Sequence, residues 1–173
     1  MESHFMLDIE TLGVRPTSVV LSVAFVKFTP GKSVSESGIY RVLDRKKQSV
    51  LGRTLDQETL DWWNRQSQEA RKVLDDKNAS CPLIAAADFN KFIKAFPEPH
   101  FVWAKSPAFD VAIMKSLYEM LDMEWPFTFN HELDVRTAMW IGKRKGFTKV
   151  SGVVAHNALA DAKAQIQDIS VCV

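Results

Sequence analysis

The chain has 173 residues, 46% hydrophobic and 25% charged, which is the profile of one soluble globular domain and excludes a disordered or fibrous chain. Its formal net charge is +1, without the basic excess that phosphate neutralisation normally demands, although carboxylates gathered for a cation would cancel basic residues elsewhere in the count. No apolar run is long enough to span a bilayer, so no membrane partner is expected. Asp8 and Glu10 interrupt the only N-terminal apolar stretch, so no signal peptide is read. Cys81 and Cys172 form no close-spaced ligand pair and no disulfide framework, which points to a cytoplasmic setting.

In chain order, residues 5–7 and 19–28 read as strands joined by a turn at Gly13–Pro16, the second rich in Val and Phe as a buried central strand should be. Pro30-Gly31 signals a turn into a third strand at residues 35–43, which makes an antiparallel meander. Thr54, with Gln57 three residues later, has capping-box spacing ahead of a helix carrying Trp62 and Trp63. Pro82 suits the first turn of a helix with Leu83, Ala87, Phe92 and Phe96 on its buried side. A short strand is expected over 101–104, a helix from Pro107 with Ile113, Leu117 and Leu121 on one stripe, a short helix over 134–141, and a last helix from about Asn157. The order implies one α/β domain over residues 1–173, a mixed sheet flanked by helices.

Three constellations carry chemistry. Asp8-Ile9-Glu10-Thr11 ends the first strand, and residues two apart on a strand project from the same face. Side by side without a cation the two carboxylates repel, and one is driven to protonate; a hard divalent ion removes that cost. The plain alternative is an exposed strand end bearing charges. Asp110 opens a helix after a strand, where a carboxylate also complements the helix dipole by roughly 0.3–1 kcal/mol. His156 lies just before the last helix and Asp161 one turn into it, among small residues. His4, His100 and His131 have no such carboxylate nearby in sequence and read as surface or structural.

The conjunction resembles the DEDD 3′→5′ exonuclease superfamily of ribonuclease-H-like fold, which includes proofreading exonucleases, ribonuclease T and oligoribonuclease. The Asp-x-Glu-Thr run, the Phe109-Asp110 pair and the stretch from His156 to Ala162 occur in that family's order and spacing. A histidine five residues before Asp161 marks the histidine branch, since the tyrosine branch would carry tyrosine at the position of Asn157. Residues 59–71, with Trp62-Trp63, Gln66-Ser67 and Glu69-Ala70-Arg71, resemble a block of phage exonucleases related to phage T4 exonuclease A, as does Asp134-Val135-Arg136-Thr137. Lys105 and Pro107 stand where relatives often carry Gly, Asn or Ser.

The resemblance implies Asp8, Glu10 and Asp161 as direct ligands of two Mg²⁺ or Mn²⁺ ions, Asp8 bridging them, with Asp110 on the second ion. It implies His156 as general base, and Thr11, Leu12 and Phe109 at the terminal nucleotide. Histidine as a residue type titrates near neutrality, at about 6.5, which suits it to take the proton of an attacking water. Expected partners are single-stranded or 3′-overhang DNA or RNA. Superfamily relatives are often homodimers. Competing readings are a catalytically idle binding module on the same fold, or a phosphodiesterase acting on short oligonucleotides. The tryptophan pair reads as Trp63 in the core with Trp62 partly exposed, because neighbours on a helix point about 100° apart. Arg45-Lys46-Lys47 and Lys143-Arg144-Lys145 are the compact basic runs, either solvated or tracking a phosphate backbone.

Overall fold

The first strand, β1 (Ser3–Thr11), runs through the middle of a five-stranded sheet of order β3-β2-β1-β4-β5. In this computed structural model residues 2–33, 35–144, 146 and 156–173 are described. β2 (Val20–Phe28) pairs antiparallel with β1, and β3 (Ser35–Val42) pairs antiparallel with β2, completing the meander. β4 (His100–Ala104) lies parallel to β1, and β5 (Glu132–Asp134) parallel to β4. The mixed sheet matches the expectation, whereas β5 was not anticipated: three residues are too few for a period-two signal.

Strand alternation sends Phe5, Leu7 and Ile9 to one face, where they pack with Phe89 and Ile93 of α4 (Pro82–Lys94) and Ile113 and Leu117 of α5 (Asp110–Met120). The opposite face carries Met6, Ala24 and Phe28 against Val135 and Ala138 of α6 (Val135–Arg144) and Ala162, Ile166 and Ile169 of α7 (Ala158–Ile169). Asp8 and Glu10 share the parity of Met6, so they leave the sheet on the α7 side. A third cluster of Leu12, Val19, Leu21 and Trp63 closes the end of β1 beneath α2 (Gln57–Asn64) and α3 (Gln68–Arg71). Among the described residues no helix is long and apolar enough to cross a membrane.

Several local expectations need correction. Asp56, not Thr54, caps α2, accepting from the Glu58 N–H; Thr54 is held in a parallel bridge to Ser18 and cannot also act as a cap. Leu83 and Ala87 of α4 face solvent, and the buried stripe is Pro82, Ala85, Ala86, Phe89 and Ile93, because the sheet meets the helix one position round from the predicted side. The helix expected from Pro107 begins at Asp110, after a turn in which Phe109 N–H donates to the Ser106 carbonyl at 2.8 Å. The basic run at 45–47 opens a short helix, α1 (Arg45–Val50), capped by Asp44.

The sheet register shifts between Glu10 and Thr11, a bulge directly after the second carboxylate. Val20, opposite this irregularity, exchanges two hydrogen bonds with the fully buried side chain of Gln48 on α1, at 2.8 and 2.7 Å. The following loop is held by Arg53, 4% exposed, whose guanidinium donates to the carbonyls of Ser18 at 2.8 Å and Pro16 at 3.0 Å. Burial pushes this guanidinium down to about 10, and its bonds to backbone carbonyls hold it in place. Replacing it leaves buried carbonyls without donors, at roughly 1–3 kcal/mol each. Arg53→Ala is therefore expected to lower stability by about 3 kcal/mol, read as a drop in urea midpoint at unchanged slope.

Candidate active site

The carboxylates of Asp8, Glu10 and Asp161 converge at the C-terminal end of β1, with one oxygen from each lying within 4.8 Å of the others. Asp8 and Glu10 arrive from β1 by alternation. Asp161 arrives from the first turn of α7, which begins where Asn157 caps it through the Ala160 N–H at 3.1 Å. The Asn157 N–H in turn donates to Asp161 at 3.1 Å, fixing that carboxylate over the strand. Asp110, 6% exposed, joins the same cleft of about 350 Å³ from the start of α5, and His156 lines its mouth. All five predicted chemical residues therefore meet in one cavity. Three carboxylates this close repel one another, and a divalent ion with oxygen donors would relieve that repulsion.

Electrostatics express this directly. Burial, and then the charges of Asp110, Glu10 and Asp161, hold the Asp8 carboxyl well above the usual carboxylate range, opposed by a hydrogen bond from Gln165. Glu10 is pushed up to about 8 by burial, then by Asp161 and Asp110. Asp110 rises to about 7 through burial, partly offset by backbone N–H groups and by Arg136.

The substrate-side predictions divide. Thr11 is 8% exposed, with its hydroxyl donating to the Gly13 carbonyl at 2.7 Å, yet it borders a second cleft of about 380 Å³ that adjoins the first through Glu10 and Phe109. Phe109 is half-buried and lines both. Leu12 is 1% exposed and packs with Val19, Leu21 and Trp63, so its side chain belongs to the core and is not available as a wedge; the chain turns inward at the bulge. Trp63 is buried, its indole N–H donating to the Thr11 carbonyl at 2.9 Å, and Trp62 is partly exposed, as the helical angle required. His4 and His100 are buried structural residues; Trp103 Nε1 donates to His4 Nδ1 at 3.0 Å.

Sequence reasoning assigned no place in this site to five residues that contribute to it. Trp62 meets the His156 ring edge-on at 4.8 Å and 87°, while the His156 backbone holds φ at 49°. Lys105 and Arg136 bring cations to the carboxylate cleft. Gln165 and Asp168 line it from α7, and their spacing from Asp161, four and seven residues, is the one signal that marked them. Of the basic run at 143–145, Arg144 lies over the Trp140 ring at 4.3 Å, and Lys145 lies outside the described residues.

Over residues 3–173 the sequence matches the family described as the 3′-5′ exoribonuclease Rv2179c-like domain. The chain belongs to this family. It is 31% identical to an exodeoxyribonuclease of Enterobacteria phage T4 over 124 residues, covering 65% of this chain and 54% of the phage protein. Among solved structures it is similar to cell-death related nuclease 4, with a TM-score of 0.69 and 14% identity over 97% of this chain and 62% of that one. It is equally similar to apo exonuclease I, with a TM-score of 0.69 and 13% identity over 99% of this chain and 42% of that one. The zinc-bound complex of E. coli exonuclease I with single-stranded DNA gives 0.69 and 14% over 96% and 39%. These structural likenesses establish the ribonuclease-H-like fold, and the chain spans about half the length of the curated relative it matches.

The raised carboxyls fix the sign of a pH effect. Without metal, folded Glu10 titrates at about 8 against an ordinary 4.5, and Asp110 at about 7 against 3.8. The folded state thus holds protons that the unfolded chain releases. Their stabilising contribution is complete below the ordinary values and is lost as pH rises through the folded ones. In EDTA, melting temperature is expected to fall between about pH 5 and pH 8.5, less steeply in Glu10→Gln, while added Mn²⁺ raises it most at the alkaline end. Calorimetric melting across that range, with and without metal, checks this.

Proposed function

We propose that this chain is a metal-dependent 3′→5′ exonuclease that releases nucleoside 5′-monophosphates from the 3′ ends of DNA or RNA. The observation that carries the reading is the convergence of Asp8, Glu10 and Asp161 within 4.8 Å, in a cleft shared with Asp110 and His156. Family membership supports the same activity. Asp8, Glu10 and Asp161 would hold two Mg²⁺ or Mn²⁺ ions, with Asp8 shared between them and Asp110 serving the second. Bound there, the pair would supply Lewis acidity to both the attacking and the leaving oxygen of an in-line displacement.

His156 accepts a proton from the attacking water as its oxygen bonds to phosphorus. The bond from phosphorus to the 3′ oxygen of the penultimate nucleotide breaks, and that oxygen takes a proton from solvent. The cleft bordered by Thr11, Phe109 and Trp62 receives the terminal nucleoside. Lys105 and Arg136 face the phosphates. The family description names ribonucleic acid and the phage relative's name deoxyribonucleic acid, so both belong in the assay.

The test is incubation of matched end-labelled single-stranded DNA and RNA with Mg²⁺, Mn²⁺ or EDTA, with products resolved by chromatography. Monophosphates released from the 3′ end are expected with either ion and none in EDTA. Asp8→Asn is expected to lose activity by orders of magnitude with its circular dichroism unchanged; full activity in that variant rejects the site. His156→Ala is expected to lose roughly 10²–10⁴-fold in rate and to recover part of it at high pH. A second measurement addresses the cations. Lys105→Ala with Arg136→Ala is expected to weaken oligonucleotide binding and to reduce the salt slope by about 1 per charge. Removing Lys143 and Arg144 should do less; equal effects would move the phosphate path to the end of α6.

A further inference from the structure

Among the described residues Gln165 is the one buried neutral polar side chain in the carboxylate cleft, and nothing in the proposed chemistry uses it. It sits on α7 four residues after Asp161, on the same side of the helix, and is 5% exposed. Its Nε2 donates to Asp8 Oδ1 at 2.5 Å, a short bond that pulls the Asp8 carboxyl toward its ionised form. The other end of the same amide, Oε1, is buried without a hydrogen-bond partner among the described residues. A buried acceptor left unsatisfied is costly and calls for a partner that the described residues do not provide.

The chemistry of the neighbours limits what residue 165 can be. As a metal ligand Asp8 is ionised and only accepts, so the amide turns its NH₂ toward Asp8, as in the hydrogen bond here, and Oε1 points the opposite way. A glutamate there would add another anion to a cluster that burial and repulsion already push toward protonation. A lysine would put a positive charge where a divalent ion belongs. A glutamine donates to Asp8, carries no charge and still offers an acceptor.

We propose that Gln165 is a positioning residue of the metal site: its NH₂ fixes the orientation of Asp8, and its Oε1 accepts a hydrogen bond from a water held in the cleft. The inference rests on the metal-dependent reading above and deepens it. Pinning Oδ1 leaves the rest of the Asp8 carboxylate to face Glu10 and Asp161, so that the ligand set is preformed before a cation enters. Groups that orient metal ligands in this way typically govern metal affinity by roughly 10–100-fold.

Two apolar replacements test this: Gln165→Met, which matches the length of the side chain, and Gln165→Leu, which is shorter and branched. Mn²⁺ binding is titrated by calorimetry on wild type and both variants, and melting in EDTA identifies a folded variant. The expected result is Mn²⁺ affinity weaker by roughly 10–100-fold, with the EDTA melting curve remaining a single cooperative transition. At saturating metal, kcat falls while KM for a short oligonucleotide holds within about twofold, a split that a general packing defect would not produce. A folded variant with unchanged Mn²⁺ affinity overturns the inference and leaves the metal-dependent reading intact. A wild type that binds no Mn²⁺ overturns that reading itself and the inference with it.

Discussion

Asp8 and Glu10 lie two residues apart on β1, and strand alternation obliges both side chains to leave the sheet on the face that α7 covers. That single constraint brings two anions together in a partly buried place, and Asp161 adds a third within 4.8 Å. Burial and mutual repulsion push their protonation equilibria upward. The surrounding structure is a set of devices that hold this unfavourable arrangement in place. The bulge after Glu10 ends the ladder, Gln48 satisfies the backbone of Val20 across from it, and Arg53 secures the loop that follows.

The opposing face of the sheet explains why such an arrangement is sustainable. Phe5, Leu7 and Ile9 alternate with the carboxylate-bearing positions and bury a large aromatic core against α4 and α5. Apolar burial at about 25 cal/mol per Å² is large beside the cost of a few close charges, so the strand tolerates the site at its end. The second face is apolar along most of α7, through Ala162, Ile166 and Ile169, and becomes polar only along the stripe of Asp161, Gln165 and Asp168. One helix thus anchors the fold with one side and builds the cleft with the next.

Trp62 and Trp63 divide their labour by the same geometry. Trp63 turns into the core and ties α2 to β1 through the Thr11 carbonyl, while Trp62 reaches across to the ring of His156. The helix that covers the end of β1 is therefore also the one that limits where the histidine can swing. The two clefts adjoin at Glu10 and Phe109, so the chamber that holds the carboxylates opens onto a second, more apolar one beside it.

Much of this was present in the sequence. Asp8, Glu10, Asp110, His156 and Asp161 stood out by residue type and local spacing, on a strand end and at helix starts, and it was their joint resemblance to the DEDD exonucleases that suggested roles for them. The meander, α5 and α7 were readable from residue type and local spacing. Leu12, Lys105, Arg136 and Gln165 were not. Each depends on which way a side chain turns once distant segments pack: the bulge sends Leu12 into the core, β5 carries α6 and Arg136 to the cleft, and α7 settles at a rotation that puts Gln165 on Asp8. Arg53 and Gln48 belong with them, since backbone carbonyls and N–H groups left unpaired at a bulge leave no mark in a sequence. Local propensity and alternation act within a few residues and are written in the chain; satisfaction of buried polar groups acts between segments and exists only after folding.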